Sequence, residues 1–222
     1  VVAAALSGAL LTLVPARAAR AADGEGEAPG GGALELSALA GIAAPSCAGG
    51  VCAGSFDAGP SVGGGALYRA SPRWAVGVAA SATRTRWSAT YELLLGAQTA
   101  QPTVSSTVTN GLVGASARLT PAPQLRVSPI VDMTVGVAFQ TETRTDVRCN
   151  DGVNPGASVG GGVRVRLPPV SVLAMGVAAL AMPFQSCALS DGAPATPLGS
   201  VTLGVLVGMS VDLGLGAGGG AS

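Results

Sequence analysis

Between Leu125 and Glu142 the chain reads LRVSPIVDMTVGVAFQTE, and large apolar residues fall on every second position. Leu125, Val127, Pro129, Val131, Met133, Val135, Val137 and Phe139 share one side. Arg126, Ser128, Ile130, Asp132, Thr134, Gly136, Ala138, Gln140 and Glu142 share the other. A period of two is that of a β-strand, whose side chains point to opposite faces in turn. The run is far longer than the ~5–6 residues of an ordinary soluble strand. It suits a strand that crosses a bilayer, for which ~9–11 residues span the apolar band before the strand projects beyond it. One face is continuously apolar and the other small and polar, which predicts lipid outside and a polar lumen inside.

The same pattern recurs along the chain. Strands are expected at about Leu34–Ala44, Ala58–Ala70, Trp74–Arg86, Ser106–Leu119, Leu125–Glu142, Ala157–Leu167, Val170–Phe184 and Gly199–Leu213. In the last of these, Val201, Leu203, Val205, Val207, Met209, Val211 and Leu213 alternate with Thr202, Gly204, Gly208, Ser210 and Asp212. The connections alternate in length. Short ones marked by proline follow strands two, four and six, at Ser71-Pro72-Arg73, Thr120–Pro123 and Pro168-Pro169. Longer ones cover about Pro45–Asp57, Ser88–Ser105, Thr145–Gly156 and Gln185–Leu198. Short turns at one end and long loops at the other are the habit of outer-membrane barrels. A hairpin plan is also reused: Ser61-Val62-Gly63-Gly64-Gly65 and its Pro turn are echoed at Ser158-Val159-Gly160-Gly161-Gly162.

The expected fold is thus an all-β, eight-stranded antiparallel up-and-down transmembrane β-barrel. The plan resembles the small eight-stranded outer-membrane barrels, the class containing outer-membrane proteins A and X. The likeness covers about residues 33–215 and rests on pattern, not on a signature motif. It implies a place in the bacterial outer membrane, with lipid around the wall. Ahead of the barrel, Val1–Val14 followed by Pro15 and ARAARAA has the apolar stretch and small-residue sites of a secretory signal peptide over 1–21. An acidic, Gly-rich linker follows over 22–32, and a Gly-rich tail closes the chain at 216–222.

The alternation sorts the charges. Glu35, Arg69, Arg118, Arg126, Asp132, Arg164, Arg166 and Asp212 are expected to point into the lumen as a charge network. A slip of one residue would turn Arg126 and Asp132 to lipid, where arginine costs ~2–4 kcal/mol at the midplane. An eight-stranded interior is just wide enough for side chains to fill it, so such a network is expected to plug it. Small inward residues such as Gly63, Gly77, Gly136 and Gly204 make room for these large side chains. Tyr68 and Trp74 fall on lipid-facing positions beside the first short turn, where an interfacial aromatic belt belongs.

Four cysteines, Cys47, Cys52, Cys149 and Cys187, all fall in the long connections. An even count in an exported chain points to disulfides, with three connectivities open. Cys47 and Cys52 bracket a flexible Ala-Gly-Gly-Val tip, which would leave Cys149 to join Cys187. A metal site is not expected, since no histidine accompanies them.

Other functions are narrowed by composition. Formal charge is zero, without the basic excess of a nucleic-acid binder. The chain contains no histidine, and its twelve basic residues are all arginine. Ser-His-Asp, Cys-His and Ser-Lys chemistries therefore have no residues to use, and no cofactor motif is present. SVGGG continues a strand and opens no helix, so it is not a dinucleotide fingerprint. The expectation is a non-enzymatic barrel with a structural or surface-interaction role, meeting an extracellular or cell-envelope partner through disulfide-stapled loops. A narrow channel is the alternative. A soluble periplasmic β-barrel is a third reading, which leaves the apolar face of Leu125–Glu142 without a partner layer.

Overall fold

The computed structural model describes residues 32–47, 55–90, 93–95, 98–101, 103–143, 152–181 and 200–214. Eleven strands occur in them: β1 (Ala33–Cys47), β2 (Ser55–Phe56), β3 (Gly59–Arg69), β4 (Trp74–Thr90), β5 (Leu93–Leu95), β6 (Gln98–Ala100), β7 (Thr103–Leu119), β8 (Val127–Thr143), β9 (Gly152–Leu167), β10 (Val170–Ala181) and β11 (Ser200–Gly214). Eight long strands, β1, β3, β4, β7, β8, β9, β10 and β11, each pair antiparallel with the next. The β1–β11 ladder closes the ring from Ala33↔Gly214 to Cys47↔Ser200. The result is an up-and-down barrel without a free sheet edge, which satisfies the backbone within the chain as lipid requires.

Its register fixes its shape. From Ala33, paired residues run through Arg69, Ala75, Arg118, Asp132, Gly160, Val177 and Gly204, and return to β1 at Ala43. The circuit thus climbs ten residues along β1, from 33 to 43. With eight strands, a rise of ~3.3 Å per residue and a spacing of ~4.8 Å, that stagger corresponds to a tilt of about 40°.

The alternation in sequence becomes inside and outside. On β8, Val127, Val131, Met133, Val135 and Val137 are exposed, whereas Ser128, Ile130, Thr134 and Ala138 are buried. Ile42, Val78, Val159, Leu203, Val205, Val207 and Met209 extend the apolar outer wall around the ring. Tyr68 and Trp74 are about half exposed on that wall, beside the 70–73 turn. A closed barrel with this outer surface stabilises itself in lipid, not in water.

Three local features go beyond the alternation. β2 is a short strand preceding β3, and both pair with β4. From Phe56↔Trp87 to Ser61↔Thr83 the β2–β3 side advances five residues and β4 four, so one extra residue forms a bulge. In the second long connection β5 and β6 form a small hairpin of their own. The connection after β7 occupies 120–126, longer than Thr120–Pro123, and the Pro168-Pro169 turn contains a cis peptide bond.

Candidate functional site

The short-turn end of the lumen is filled by charge. β1 presents Glu35 directly opposite Asp212 of β11, a cross-strand pair of like charges that is unfavourable on its own. Two arginines bridge it. Arg69 Nη2 donates to Glu35 Oε2 at 2.7 Å and to Asp212 Oδ1 at 2.9 Å. Arg164 Nη1 donates to Glu35 Oε2 at 3.1 Å, and its Nη2 to Asp212 Oδ2 at 2.8 Å. Its Nε donates to Ser171 Oγ at 3.0 Å, so all three of its nitrogens are used.

The far wall completes the cluster. Arg118 of β7 stands opposite Asp132 of β8 and grips it with two parallel bonds of 2.6 Å, from Nε and Nη2. Its Nη1 reaches across the lumen to Glu35 Oε1. Glu35 therefore accepts from three guanidinium groups and joins opposite walls of the barrel. Three arginines face three carboxylates, and Glu35, Arg69, Arg118 and Arg164 are all at most 3% exposed. Charge-assisted and bidentate bonds are the strong members of the hydrogen-bond family. A hydroxyl layer adjoins the cluster: Thr134 Oγ1 donates to Ser116 Oγ at 3.1 Å, and Ser116 Oγ donates to the Met133 carbonyl at 3.2 Å.

An apolar patch lies beside the charge and extends past it. Ile130, Leu173 (the ladder partner of Arg164) and Met175 pack together with Leu39 and Val177, and Trp87 packs with Val108 and Phe56 toward the long-connection end. Beside the charge cluster lies a cavity of about 70 Å³, lined in part by Ser37, Gly63, Gly65, Ser116, Arg118, Asp132 and Thr134. Leu39, Leu67, Leu112 and Met175 line much of the rest, so the pocket is mostly apolar with a polar side that has room for a few waters.

The eight charged residues singled out by alternation do not all meet. Glu35, Arg69, Arg118, Asp132, Arg164 and Asp212 come together as described. Arg126 does not: it precedes β8, lies exposed in the 120–126 connection, and takes part only through its carbonyl, which accepts from Arg166 N at 2.8 Å. The even-position rule lapses where the ladder ends, because nothing holds the side chain to the pleat. Arg166 lies at the same end, half-buried, and forms no ion pair among the described residues. Cys52, Cys149 and Cys187 lie outside the described residues, as do the 1–21, 22–31 and 216–222 segments; Cys47 is the last residue of β1. Among the described residues no group of three His, Cys, Asp or Glu side chains gathers as a metal site would.

Two residues not singled out in the sequence stand apart. Arg84 and Arg86 of β4 are exposed on the outer wall, alternating with buried Thr83, Thr85 and Trp87. The signal was present, since both share the parity of Val76 and Val78, but they lie beyond the apolar run.

No protein-family model matches the sequence, nor does any curated protein. Among solved structures, neisserial surface protein A superposes with a TM-score of 0.52 at 16% identity, over 80% of this chain and 96% of its own. The outer membrane protein OprG from Pseudomonas aeruginosa gives 0.49 at 12% identity, over 83% and 98%. The attachment invasion locus protein Ail of Yersinia pestis, in complex with the heparin analogue sucrose octasulfate, gives 0.44 at 12%, over 81% and 99%. At 16% identity the likeness to the neisserial protein is one of fold: this chain is built as a small eight-stranded β-barrel of the outer-membrane type.

Proposed function

We propose that this chain is a non-enzymatic outer-membrane barrel with a closed lumen, a rigid anchor whose long connections carry a structural or surface-interaction role. The observation that carries the reading is the Glu35 cluster, which ties β1, β3, β7, β8, β9 and β11 together across the short-turn end of the lumen. A barrel braced in this way is suited to holding loops still more than to passing solutes. The lack of histidine and lysine in the sequence supports a role without catalysis. At the long-connection end, Cys47–Cys52 and Cys149–Cys187 disulfides would restrain the loops that meet an extracellular or cell-envelope partner. Peptide mapping without reductant checks that pairing; a Cys47–Cys149 or Cys47–Cys187 link would replace it.

Conductance in planar bilayers tests the reading. The purified barrel is expected to give no current above the bare-bilayer background. Reproducible single-channel steps, abolished by filling the lumen with Gly63→Phe, would replace this reading by the narrow channel.

A further inference from the structure

The outer wall of the eight barrel strands carries only two charged residues among those described, and both are arginines near the long-connection end of one strand: Arg84 and Arg86 of β4. An arginine facing lipid is costly at the bilayer midplane and nearly free of cost at the interface. Their height decides which applies. Arg84 lies ten residues beyond Trp74, the half-exposed aromatic at the short-turn end of the same strand (positions 74 and 84). At ~3.3 Å per residue and a tilt of about 40°, that separation is roughly 25 Å along the membrane normal. This equals the ~25 Å height of the apolar band of such barrels. Trp74 thus stands at one interface, Arg84 at the other, and Arg86 ~5 Å further out.

The wall around them is polar. Arg84 pairs with Thr109 and Arg86 with Thr107 on β7, and these threonines pair in turn with Thr141 and Thr143 on β8. Neither arginine forms an ion pair among the described residues. Two unneutralised guanidinium forks beside a bank of threonines, at headgroup height, have the donors to take a phosphate bidentately. We propose that Arg84 and Arg86 bind the phosphate of a lipid headgroup in the leaflet at the long-connection end, so that one phosphorylated lipid seats against β4 and β7. This rests on the barrel spanning the bilayer and is independent of whether the lumen conducts.

The test is native mass spectrometry of the full barrel in neutral detergent, titrated with diphosphoryl lipid A. Parallel titrations use phosphatidylcholine, inorganic phosphate, the R84Q/R86Q variant and an R73Q/R126Q control that removes two exposed arginines at the opposite end. The proposal expects saturable binding of lipid A, weakened at least tenfold in R84Q/R86Q and within twofold of wild type in R73Q/R126Q. Inorganic phosphate at equal phosphate concentration is expected not to displace the lipid. Equal binding by wild type and R84Q/R86Q, or equal loss in both double variants, overturns the proposal. Displacement by inorganic phosphate overturns its lipid assignment. Should R84Q/R86Q fail to refold, R84Q and R86Q singly carry the test, each expected to weaken binding at least threefold.

Discussion

Replacing Glu35 by glutamine probes the lumen cluster at its centre. The wild-type cluster balances three arginines against Glu35, Asp132 and Asp212, and glutamine leaves one positive charge uncompensated beside the buried residues Arg69, Arg118 and Arg164. Three charge-assisted bonds are weakened at once, from Arg69, Arg118 and Arg164. At ~1.5–3 kcal/mol each these would sum to more than the net effect. Two things reduce it. The glutamine carbonyl still accepts from one arginine, and the unfavourable Glu35–Asp212 opposition is relieved. Breaking a buried ion pair from one side costs ~3–5 kcal/mol, and E35Q is expected in that range.

The sign of the coupling is the sharper test. In E35Q/R164Q the remaining charges are neutral and paired, Arg69 with Asp212 and Arg118 with Asp132. The double variant is therefore expected to lose at least ~1 kcal/mol less than the sum of its two single losses. Urea titration of the refolded barrel in vesicles, with the folded fraction read from heat-dependent gel migration, gives all four free energies. E35Q within ~1 kcal/mol of wild type, or strict additivity, would refute the argument that this cluster is held by mutual neutralisation.

Other positions divide inside from outside. A methyl group on Gly136 would run into the carbonyl of Val113, and one on Gly114 into that of Val135, whereas at Gly161 nothing lies within 4 Å. G136A and G114A are expected to lose ~1–3 kcal/mol in the same urea assay, and G161A to stay neutral or gain up to ~1 kcal/mol. The two tryptophans should differ in lipid contact: brominated acyl chains are expected to quench W87F, which keeps half-exposed Trp74, and to leave W74F, which keeps fully buried Trp87, unquenched. Phe139 lies over its cross-strand neighbour Gly111, the ring where a Cβ would be, so F139A is expected to cost ~1 kcal/mol, read by the same titration.

What was legible in the sequence follows from what a lipid-facing wall demands. Every outward position within the apolar band must be apolar or small, so the eight strands, their order and the side each residue takes are written as alternation. That is why Val131, Met133 and Val135 are exposed while Ser128 and Thr134 are buried, as their parity requires. Alternation carries no information where the ladder stops. Arg126 keeps the even parity of Ser128 and Asp132 but precedes Val127, the first residue of β8, and turns to solvent. The bulge between β2 and β3 flips the inward parity from Phe56 to Ser61, but the stretch between them is too short and too polar for that flip to be read as a broken alternation.

Parity also says which face a charge takes but not which charges meet, and this is the step that only register supplies. Arg118 and Asp132 lie fourteen residues apart in sequence and become direct partners through the β7–β8 ladder. Glu35 and Asp212 become neighbours only because the barrel closes. Had closure brought those two carboxylates together without Arg69 and Arg164 above them, their repulsion would oppose the β1–β11 ladder. With the arginines in place, joining the first strand to the last is what assembles the cluster. The part of the cluster that Asp212 joins, with Arg69 and Arg164 bridging it to Glu35, forms only as the ring closes, so a weakened cluster should appear first as opening along β1–β11. Hydrogen exchange of E35Q is accordingly expected to rise at Leu34–Ser37 and Ser210–Leu213 before it rises at the β7–β8 ladder. A uniform increase over all eight strands would instead mean that the cluster contributes to overall stability without guarding the closing ladder.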